Sequence, residues 1–337
     1  MMIKFPYRVV IGKSPARDIR SMLGEMRLGN RGAIITDGTV RKLIGNEVAA
    51  MTGAAIMAPE SLEIESLRKL SVALKDCDYV MGIGGGRSID AAKYAACVAG
   101  KPWIAFPTVL SHDGVVSSRA SVESSGLKTS VEASEPSAII ADIEMLAKAP
   151  YRHTASGAGD VISNISAVED WRLAASAGKE KYHTVMAELS LLAVKAVQEN
   201  VSEIKKRSAH GMEMLLWALI SSGFAMNIYG SSRPASGSEH NVSHALDAAG
   251  SRALHGEQAA LAAIVTVYLQ GGDWKAVKKL MSEIGLPATA KELGIEKGMM
   301  IKALASAKAV RDRYTVLNEA NLSEAKAEKA LAHCGII

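Results

Sequence analysis

Residues 80–93 read VMGIGGGRSIDAAK and indicate the fold class of the first part of the chain. A short apolar run leads into successive glycines and then into a helical pattern, which predicts a buried strand, a tight turn and a helix. Glycine lets the backbone approach a ligand closely, and the first turn of a helix offers unpaired N–H groups and partial positive charge. The stretch therefore favours a phosphate-binding loop, and an ordinary strand-to-helix turn is the alternative.

The glycine loop departs from two familiar motifs. Arg87 occupies the place of the third glycine in the G-x-G-x-x-G fingerprint, and no Gly-Lys-Ser/Thr follows as in a Walker A loop. Asp37 ends an earlier predicted strand, where its carboxylate can accept hydrogen bonds from ribose hydroxyls. A turn aspartate before Gly38 is the alternative. Residues 107–119 (PTVLSHDGVVSSR) also follow a strand and are rich in polar groups, so they are a candidate ligand loop.

Apolar runs alternate with helical patterns in the first 146 residues, and helical patterns dominate the rest. Strands are predicted at 7–11, 32–36, 54–57, 78–83, 103–106 and 137–141, with a hairpin of 120–123 and 128–132. A first helix is predicted from about Ser14, and later helices at 184–198, 211–225, 258–269, 274–284, 299–308 and 323–333. We therefore expect an N-terminal Rossmann-like parallel α/β domain, residues 1–146, and an all-α domain, residues 147–337.

Composition excludes several classes of protein. The chain has 337 residues, of which 48% are hydrophobic and 22% charged, so a disordered chain is not expected. The net charge of +4 is too small and too dispersed to indicate a nucleic-acid partner. The three cysteines show no CxxC spacing, which argues against a disulfide framework. Met1–Val10 does not resemble a signal peptide and no membrane span is predicted, so we expect a cytoplasmic protein.

Residues 236–246 (SGSEHNVSHAL) carry two histidines at helical spacing. Ser236 and Glu239 have the spacing of a capping box, so a helix should begin here. His240 and His244 would then share one face of that helix. The pair could bind one metal with both rings, or place one ring on the metal and the other on the substrate. Two solvated histidines on a polar face are the remaining interpretation.

A third histidine and a carboxylate complete a candidate metal set. His255 stands at the start of an apolar helical pattern. Asp160 ends the glycine-containing stretch 156–160 (SGAGD), where we expect it to enter a helix whose N-terminus keeps it ionised. A plain helix-capping aspartate is the alternative. Two histidines and one carboxylate suit a catalytic metal that keeps open positions.

These stretches together resemble the archaeal-type sn-glycerol-1-phosphate dehydrogenases. That family belongs to the superfamily of iron-containing alcohol dehydrogenases, glycerol dehydrogenases and dehydroquinate synthases. The resemblance extends from residues 6–12 (PYRVVIG) to 255–258 (HGEQ). It is sharpest at 111–114 (SHDG), 156–164 (SGAGDVISN) and 231–240 (SSRPASGSEH). The resemblance implies a dehydroquinate synthase-like fold.

The resemblance also implies the site residues. NAD or NADP would contact Gly86, Arg87, Ser88, Ile89, Asp90, Thr108, Val109, Leu110, Ser111 and Ser117, to which we add Asp37 from its position. One Zn²⁺ would be held by Asp160, His240 and His255. The substrate would contact Asp113, Asp160 and His244, with Asp113 and His244 catalytic. Arg87 stands where many members have lysine. The corner 36–38 (TDG), which has no basic residue, favours NAD without excluding NADP.

The implied reaction is the reversible reduction of dihydroxyacetone phosphate to sn-glycerol 1-phosphate, which supplies the backbone of archaeal-type membrane phospholipids. Zinc would polarise the carbonyl and the nicotinamide would give hydride. A proton would reach the alkoxide through His244 or a metal-bound water, and Asp113 would orient the hydroxyls. Arg233 is the candidate ligand of the substrate phosphate. The alternatives are a glycerol dehydrogenase, a dehydroquinate synthase-like lyase or a non-enzymatic binding protein. We also expect a homo-oligomer.

Overall fold

The computed structural model describes residues 8–337. Residues 1–7, which include Pro6 of the resemblance and Tyr7 of the first predicted strand, lie outside the described part. The chain divides into two compact units, one ending at Pro150 and the other beginning at Tyr151. The boundary proposed at residue 146 falls within the helix Ile143–Lys148, just ahead of this division.

The N-terminal unit contains a parallel sheet and flanking helices. Its helices and strands are β1 (Arg8–Gly12), α1 (Ile19–Glu25), β2 (Gly32–Ile35), α2 (Gly38–Val40), α3 (Asn46–Thr52), β3 (Ala55–Met57), α4 (Ile64–Ala73), β4 (Tyr79–Gly84), α5 (Gly86–Val98), β5 (Trp103–Pro107), β6 (Arg119–Ser124), β7 (Leu127–Glu132), β8 (Ala138–Asp142) and α6 (Ile143–Lys148). A 3₁₀ turn, Pro15–Asp18, precedes α1, so the first α-helix begins later than predicted.

Six strands in the described residues form one sheet in the order β1-β8-β5-β4-β2-β3, and every neighbouring pair is parallel. Strands β2, β4, β5 and β8 are buried throughout because helices cover a parallel sheet on both faces. Such strands read as short apolar runs, which is why the sequence predicts them. Parallel alignment brings the carboxyl ends of β2, β4 and β5 to the same edge, beside Asp37, Gly85 and Thr108.

The predicted hairpin is confirmed. Strands β6 and β7 pair antiparallel from Arg119 opposite Glu132 to Ser124 opposite Leu127. Ser125 and Gly126 in the turn both have positive φ, as a two-residue connection of twisted strands requires.

The C-terminal unit, which the structure describes from Tyr151 to Ile337, contains helices joined by loops and has no strand. Its helices are α7 (Tyr151–Ile162), α8 (Asn164–Ser176), α9 (Thr184–Glu199), α10 (Val201–Lys206), α11 (Ala209–Tyr229), α12 (Ser238–Ala248), α13 (His255–Leu269), α14 (Trp274–Ile284), α15 (Lys297–Ser306), α16 (Val316–Ala320) and α17 (Glu324–His333). The predicted Rossmann-like α/β domain followed by an all-α domain is confirmed.

Helix α11 is the one helix among residues 8–337 that is long and apolar enough to cross a membrane by length and composition. In the structure 61% of its most apolar 18-residue window is buried inside the protein. Helices that are apolar on most sides are typical of the core of a helical domain. The helix therefore gives only weak evidence for a membrane span.

Candidate functional site

The three predicted metal ligands meet in the C-terminal unit. Asp160 Oδ1 lies 3.6 Å from His240 Nε2 and 3.7 Å from His255 Nε2. The ligand atoms of all three residues lie within 4.8 Å of one another. Asp160 and His240 are buried, and His255 is half-buried. The residues come from α7, α12 and α13, so the site forms only when these three helices pack together.

The arrangement fits a metal with two imidazoles and one carboxylate. Zinc bonds to nitrogen and oxygen ligands are about 2.1 Å long, so two ligand atoms of a tetrahedral ion are separated by about 3.4 Å. The two distances from Asp160 are close to that separation. Three protein ligands leave one position of a tetrahedral ion for a substrate, which is the pattern of catalytic rather than structural sites.

The prediction that Asp160 enters a helix at its N-terminus is wrong. Asp160 lies in the last turn of α7, and the glycines before it are part of that helix. A Cβ on Gly159 would lie 2.6 Å from the carbonyl oxygen of Gly256, and one on Gly256 would lie 1.9 Å from that of Ser156. The glycines thus allow α7 and α13 to pack closely, which brings Asp160 to His255. The C-terminal end of a helix also favours a bound cation.

The predicted capping box at Ser236 and Glu239 is also wrong. Helix α12 begins at Ser238 after Gly237, and the N–H of Ser238 donates to Asp170 Oδ2 at 2.6 Å. Gly237 is required here because a Cβ would lie 2.7 Å from Asp170 Oδ2 and 2.9 Å from Glu239 Oε2. A carboxylate from α8 therefore caps α12, which no local sequence pattern reveals.

Glu239 orients the first histidine. Its Oε1 accepts hydrogen bonds from the N–H of Gly237 at 2.6 Å and from Nδ1 of His240 at 2.8 Å. Nδ1 therefore carries a proton, and Nε2 is directed to Asp160. Burial lowers the pKa of His240, but hydrogen bonds and charge from Asp160 and Glu239 outweigh burial and raise the pKa to about 9.

Ser243 and Gln258 orient the second histidine. Nδ1 of His255 lies 3.3 Å from Ser243 Oγ, which donates to Gln258 Oε1 at 3.0 Å. The Gln258 amide is fixed in turn because its Nε2 donates to Asp247, Ser251 and the carbonyl of Ala253. Ser243 Oγ can then only accept from Nδ1–H, so the lone pair of His255 Nε2 faces Asp160. Such second partners orient a ligand and strengthen its binding.

An ion pair holds the beginning of α13, where His255 stands. Glu257 Oε2 accepts from the N–H of Leu254 at 2.8 Å. The same carboxylate accepts from Arg152 of α7 through Nε at 2.6 Å and Nη2 at 2.7 Å. This two-point pairing fixes the first turn of α13 against α7.

His244 and Arg311 meet beside the three ligands. Nη2 of Arg311 contacts His244 Nε2, and Nη1 donates to Ser236 Oγ at 3.0 Å. The His244 ring lies 5.9 Å from the His255 ring, between centroids. A guanidinium can only donate, so Nε2 of His244 accepts and the neutral ring carries its proton on Nδ1. His244 therefore lies next to the ligand set, although the sequence gives no signal for Arg311.

Arg233 has a structural environment. Its side chain is 1% exposed, and its Nε lies 2.9 Å from Glu180 Oε2. Its Nη2 donates to the carbonyl oxygens of Asp170 and Tyr314. Arg233 therefore connects α8 to the segment before α16 from a buried position. The geometry does not favour Arg233 as the phosphate ligand.

The glycine loop of the N-terminal unit lies at the end of β4, and α5 begins at Gly86. The loop packs against the segment after β5: the N–H of Thr108 donates to Gly84 O at 3.0 Å, and a Cβ on Gly86 would lie 2.5 Å from His112 Nε2. His112 Nδ1 accepts from the N–H of Gly114 at 2.8 Å. The structure thus brings the two predicted nucleotide-binding stretches together.

Lys93 joins the glycine-loop helix to the loop that follows β5. Its side chain is fully buried, and its Nζ donates to Gly114 O at 2.7 Å, Arg119 O at 2.5 Å and Asp90 Oδ1 at 3.2 Å. Burial lowers the pKa of Lys93. Ser117 lies between the two backbone positions that Lys93 contacts, and Asp113 directly precedes the first of them. This role of Lys93 could not be predicted from the sequence, because no local pattern marks a buried lysine.

The predicted nucleotide-binding residues differ in exposure. Arg87 is exposed, and Gly86, Val109 and Ser111 are partly exposed. Ser88, Ile89, Asp90, Thr108, Leu110 and Ser117 are all buried. Asp37 Oδ1 accepts from the N–H groups of Thr39 and Val40, so this aspartate caps α2. The other oxygen, Oδ2, lies toward the glycine loop, 3.9 Å from a Cβ placed on Gly84. Capping of α2 by Oδ1 is therefore compatible with a contact between Oδ2 and a nucleotide.

Comparison with known proteins places the chain in a family. A family model described as iron-containing alcohol dehydrogenase matches residues 10–150. A glycerol-1-phosphate dehydrogenase (NAD(P)⁺) from Pyrococcus horikoshii is 37% identical, over 100% of this chain and 99% of the relative. One from Methanococcoides burtonii is 40% identical, over 94% of this chain and 91% of the relative.

The fold is shared with solved structures of lower identity. A probable glycerol dehydrogenase from Sinorhizobium meliloti superposes with a TM-score of 0.82 at 17% identity, covering 99% of this chain and 98% of that one. This similarity supports the predicted superfamily fold. With relatives of about 38% identity along their full lengths, the chain belongs to the glycerol-1-phosphate dehydrogenase family of oxidoreductases.

Proposed function

We propose that this protein catalyses the reversible, NAD(P)-dependent reduction of dihydroxyacetone phosphate to sn-glycerol 1-phosphate. The observation that carries the proposal is the convergence of Asp160, His240 and His255, in a chain whose full-length relatives are named for this reaction. The product would supply the glycerophosphate backbone of archaeal-type phospholipids. A cytoplasmic location and a homo-oligomeric assembly stay predictions.

The donor set supports one divalent zinc held by Asp160, His240 and His255. Imidazole nitrogen and carboxylate oxygen suit zinc, and iron accepts the same donors. When bound, the metal would act as a Lewis acid on the C2 carbonyl of the substrate. Both histidines are held by partners on Nδ1, so each presents Nε2 without having to change tautomer.

The N-terminal unit would bind the nucleotide at the carboxyl ends of its strands. The first turn of α5 offers backbone N–H groups to the pyrophosphate. The absence of a side chain on Gly86 leaves room for the His112 ring beside the loop. The nicotinamide would supply the hydride. Asp37 would accept from the ribose hydroxyls and repel a 2′-phosphate, which favours NAD over NADP.

His244 and Asp113 are the proposed groups for proton transfer and for orientation of the substrate hydroxyl. His244 carries its proton on Nδ1 while Nε2 accepts from Arg311. In the oxidation direction a neutral imidazole in this position can accept the proton of the C2 hydroxyl on Nε2, and the imidazolium so formed can return that proton to the C2 oxygen in the reduction direction. Asp113 opens a 3₁₀ turn, Asp113–Val115, whose position depends on the Lys93 contact with Gly114.

A stereospecific assay tests the function. Dihydroxyacetone phosphate is supplied with NADH or NADPH, the product enantiomer is identified, and the assay is repeated after chelation and after addition of zinc or iron. We expect sn-glycerol 1-phosphate, loss of turnover on chelation and recovery with zinc. Preferential reduction of unphosphorylated dihydroxyacetone would indicate a glycerol dehydrogenase, and nucleotide that is never consumed would indicate a lyase.

A further inference from the structure

Two arginines of the segment between α15 and α16 contact the loop that leads into α12. Arg311 Nη1 donates to Ser236 Oγ at 3.0 Å, and its Nη2 contacts His244 Nε2. Arg313 donates to Ser236 O and to Ser232 Oγ. Of this pair, Arg311 is the one that the structure places against a proposed catalytic side chain.

Arg311 lies one imidazole ring away from the metal ligands. His244 follows His240 by four residues on α12, which is about 6 Å along a helix axis. The centroid of its ring is 5.9 Å from that of His255. If the reacting oxygen of a substrate lies at the three metal ligands, a group a few bonds away from that oxygen would lie next to the Arg311 guanidinium. A three-carbon phosphate ester has its phosphate on the carbon next to the reacting one.

We propose that Arg311 binds the phosphate group of the substrate and selects phosphorylated over unphosphorylated three-carbon substrates. The inference rests on the proposed function, which assigns the reacting oxygen to the three metal ligands. A guanidinium is planar, permanently charged and able to donate two parallel hydrogen bonds to phosphate oxygens. The hydrogen bond from Arg311 Nη1 to Ser236 Oγ holds the guanidinium plane in position before the substrate binds.

The other candidate arginines are less suited. Arg233 is buried and paired with Glu180, so moving it to a ligand would leave that carboxylate without its charge partner. Arg313 is engaged with Ser232 and with the backbone of Ser236. It stabilises the loop but does not contact the proposed catalytic histidine in the interactions that the structure describes.

The contact with His244 adds a coupling between phosphate recognition and proton transfer. Binding of the phosphate would draw Nη2 of Arg311 away from His244 Nε2. The imidazole is then released to interact with the substrate oxygen. A phosphorylated substrate would therefore gain in turnover as well as in binding, whereas an unphosphorylated analogue would leave the contact in place.

The test compares Arg311→Gln and Arg311→Lys with the control Arg313→Gln, all loaded with zinc. Equilibrium binding of inorganic phosphate is measured by calorimetry, and kcat/KM is measured for dihydroxyacetone phosphate and for dihydroxyacetone. Loss of a charged hydrogen-bonding partner is expected to weaken phosphate binding about tenfold to a hundredfold. Arg311→Gln should lower the ratio of the two kcat/KM values by a similar factor.

Arg311→Lys keeps the charge but not the planar pair of donors, so an intermediate loss is expected. If Arg311→Gln does not fold, the lysine variant decides the question. Equal losses for both substrates, or the same loss of phosphate binding in Arg313→Gln, would overturn the assignment. Failure of the wild type to reduce dihydroxyacetone phosphate would refute the proposed function, while phosphate binding would still decide whether Arg311 recognises phosphate.

Discussion

Glu239 Oε1 lies 2.8 Å from Nδ1 of His240, while Nε2 of the same ring faces Asp160. The glutamate is fully buried and also accepts from the N–H of Gly237. It therefore decides which ring nitrogen is available to a metal. A residue that acts through the ligand in this way changes metal affinity without contacting the metal.

Glu239→Gln should weaken zinc binding about 10- to 100-fold, because a neutral amide holds the imidazole proton less strongly. Competition with a chromophoric chelator measures the affinity directly. Glu169→Gln on α8 is a suitable control, since this carboxylate is exposed and pairs with Arg172. Unchanged zinc affinity in a folded Glu239→Gln protein would show that the hydrogen bond does not orient the ligand.

His255→Ala should lose metal and turnover together while the protein stays folded. The side chain is half-buried at the first position of α13, and the Arg152–Glu257 pair that fixes this helix end is left intact. Metal content by atomic emission and helix content by circular dichroism measure the two effects. Full zinc occupancy with normal turnover would remove His255 from the proposed ligand set.

His244→Ala should retain the metal and lose turnover. His244 is on the same face of α12 as His240, but its Nε2 is engaged with Arg311 rather than directed to Asp160. Metal content and the rate of a single turnover are the measurements. If metal content fell as far as in His255→Ala, His244 would be a ligand and the assignment of the two histidines of α12 would be wrong.

Gly86→Ala should weaken binding of NADH by about tenfold, equivalent to about 1.4 kcal/mol. The added Cβ would be 2.5 Å from His112 Nε2, so the ring or the start of α5 must move. Fluorescence titration with NADH gives the dissociation constant. Gly24→Ala is the control because nothing lies within 4 Å of its Cβ position. Equal affinities of the two variants would remove Gly86 from the nucleotide site.

The sheet could be predicted from sequence because each buried parallel strand is a short apolar run bounded by polar or glycine residues. The glycines at 84–86 and at 157–159 show the limit of such patterns. The first set lies in a turn, as predicted. The second lies inside α7, where it permits close packing with α13. The sequence around Asp160 does not show whether its glycines form a turn or permit close helix packing, because the residue they pack against, Gly256, is distant in the chain.

The site was predictable only as a set of residue types. His240 and His244 have the spacing of one helix face, but their different roles depend on contacts with Asp160 and Arg311. Arg311 is 67 residues from His244 and lies in a segment without helical or strand periodicity. Asp170, which caps α12, is 68 residues before Ser238. Residues brought together over such separations leave no local pattern in a single sequence.

Asp78 and Arg31 connect the beginnings of β4 and β2, and their pairing predicts a pH dependence of stability. Asp78 Oδ1 accepts from Arg31 Nη2 at 2.8 Å, and Oδ2 accepts from the N–H groups of Asn30 and Arg31. The side-chain hydrogen bond with Arg31, followed by the backbone bonds, lowers the pKa of Asp78 from 3.8 to about 2. The folded state thus binds fewer protons than the unfolded state between these two values.

Asp78→Asn should therefore destabilise the protein at neutral pH, where the carboxylate contributes fully. Since the lowered pKa favours folding above the unfolded value, the difference from wild type should shrink as the pH falls from about 4 towards 2. Urea midpoints at several pH values between 7 and 3 measure this difference. Asp76→Asn removes the same charge two residues away and should show no comparable convergence. A difference between wild type and Asp78→Asn that stayed constant down to pH 3 would mean that the ionised carboxylate does not strengthen the connection of β2 to β4.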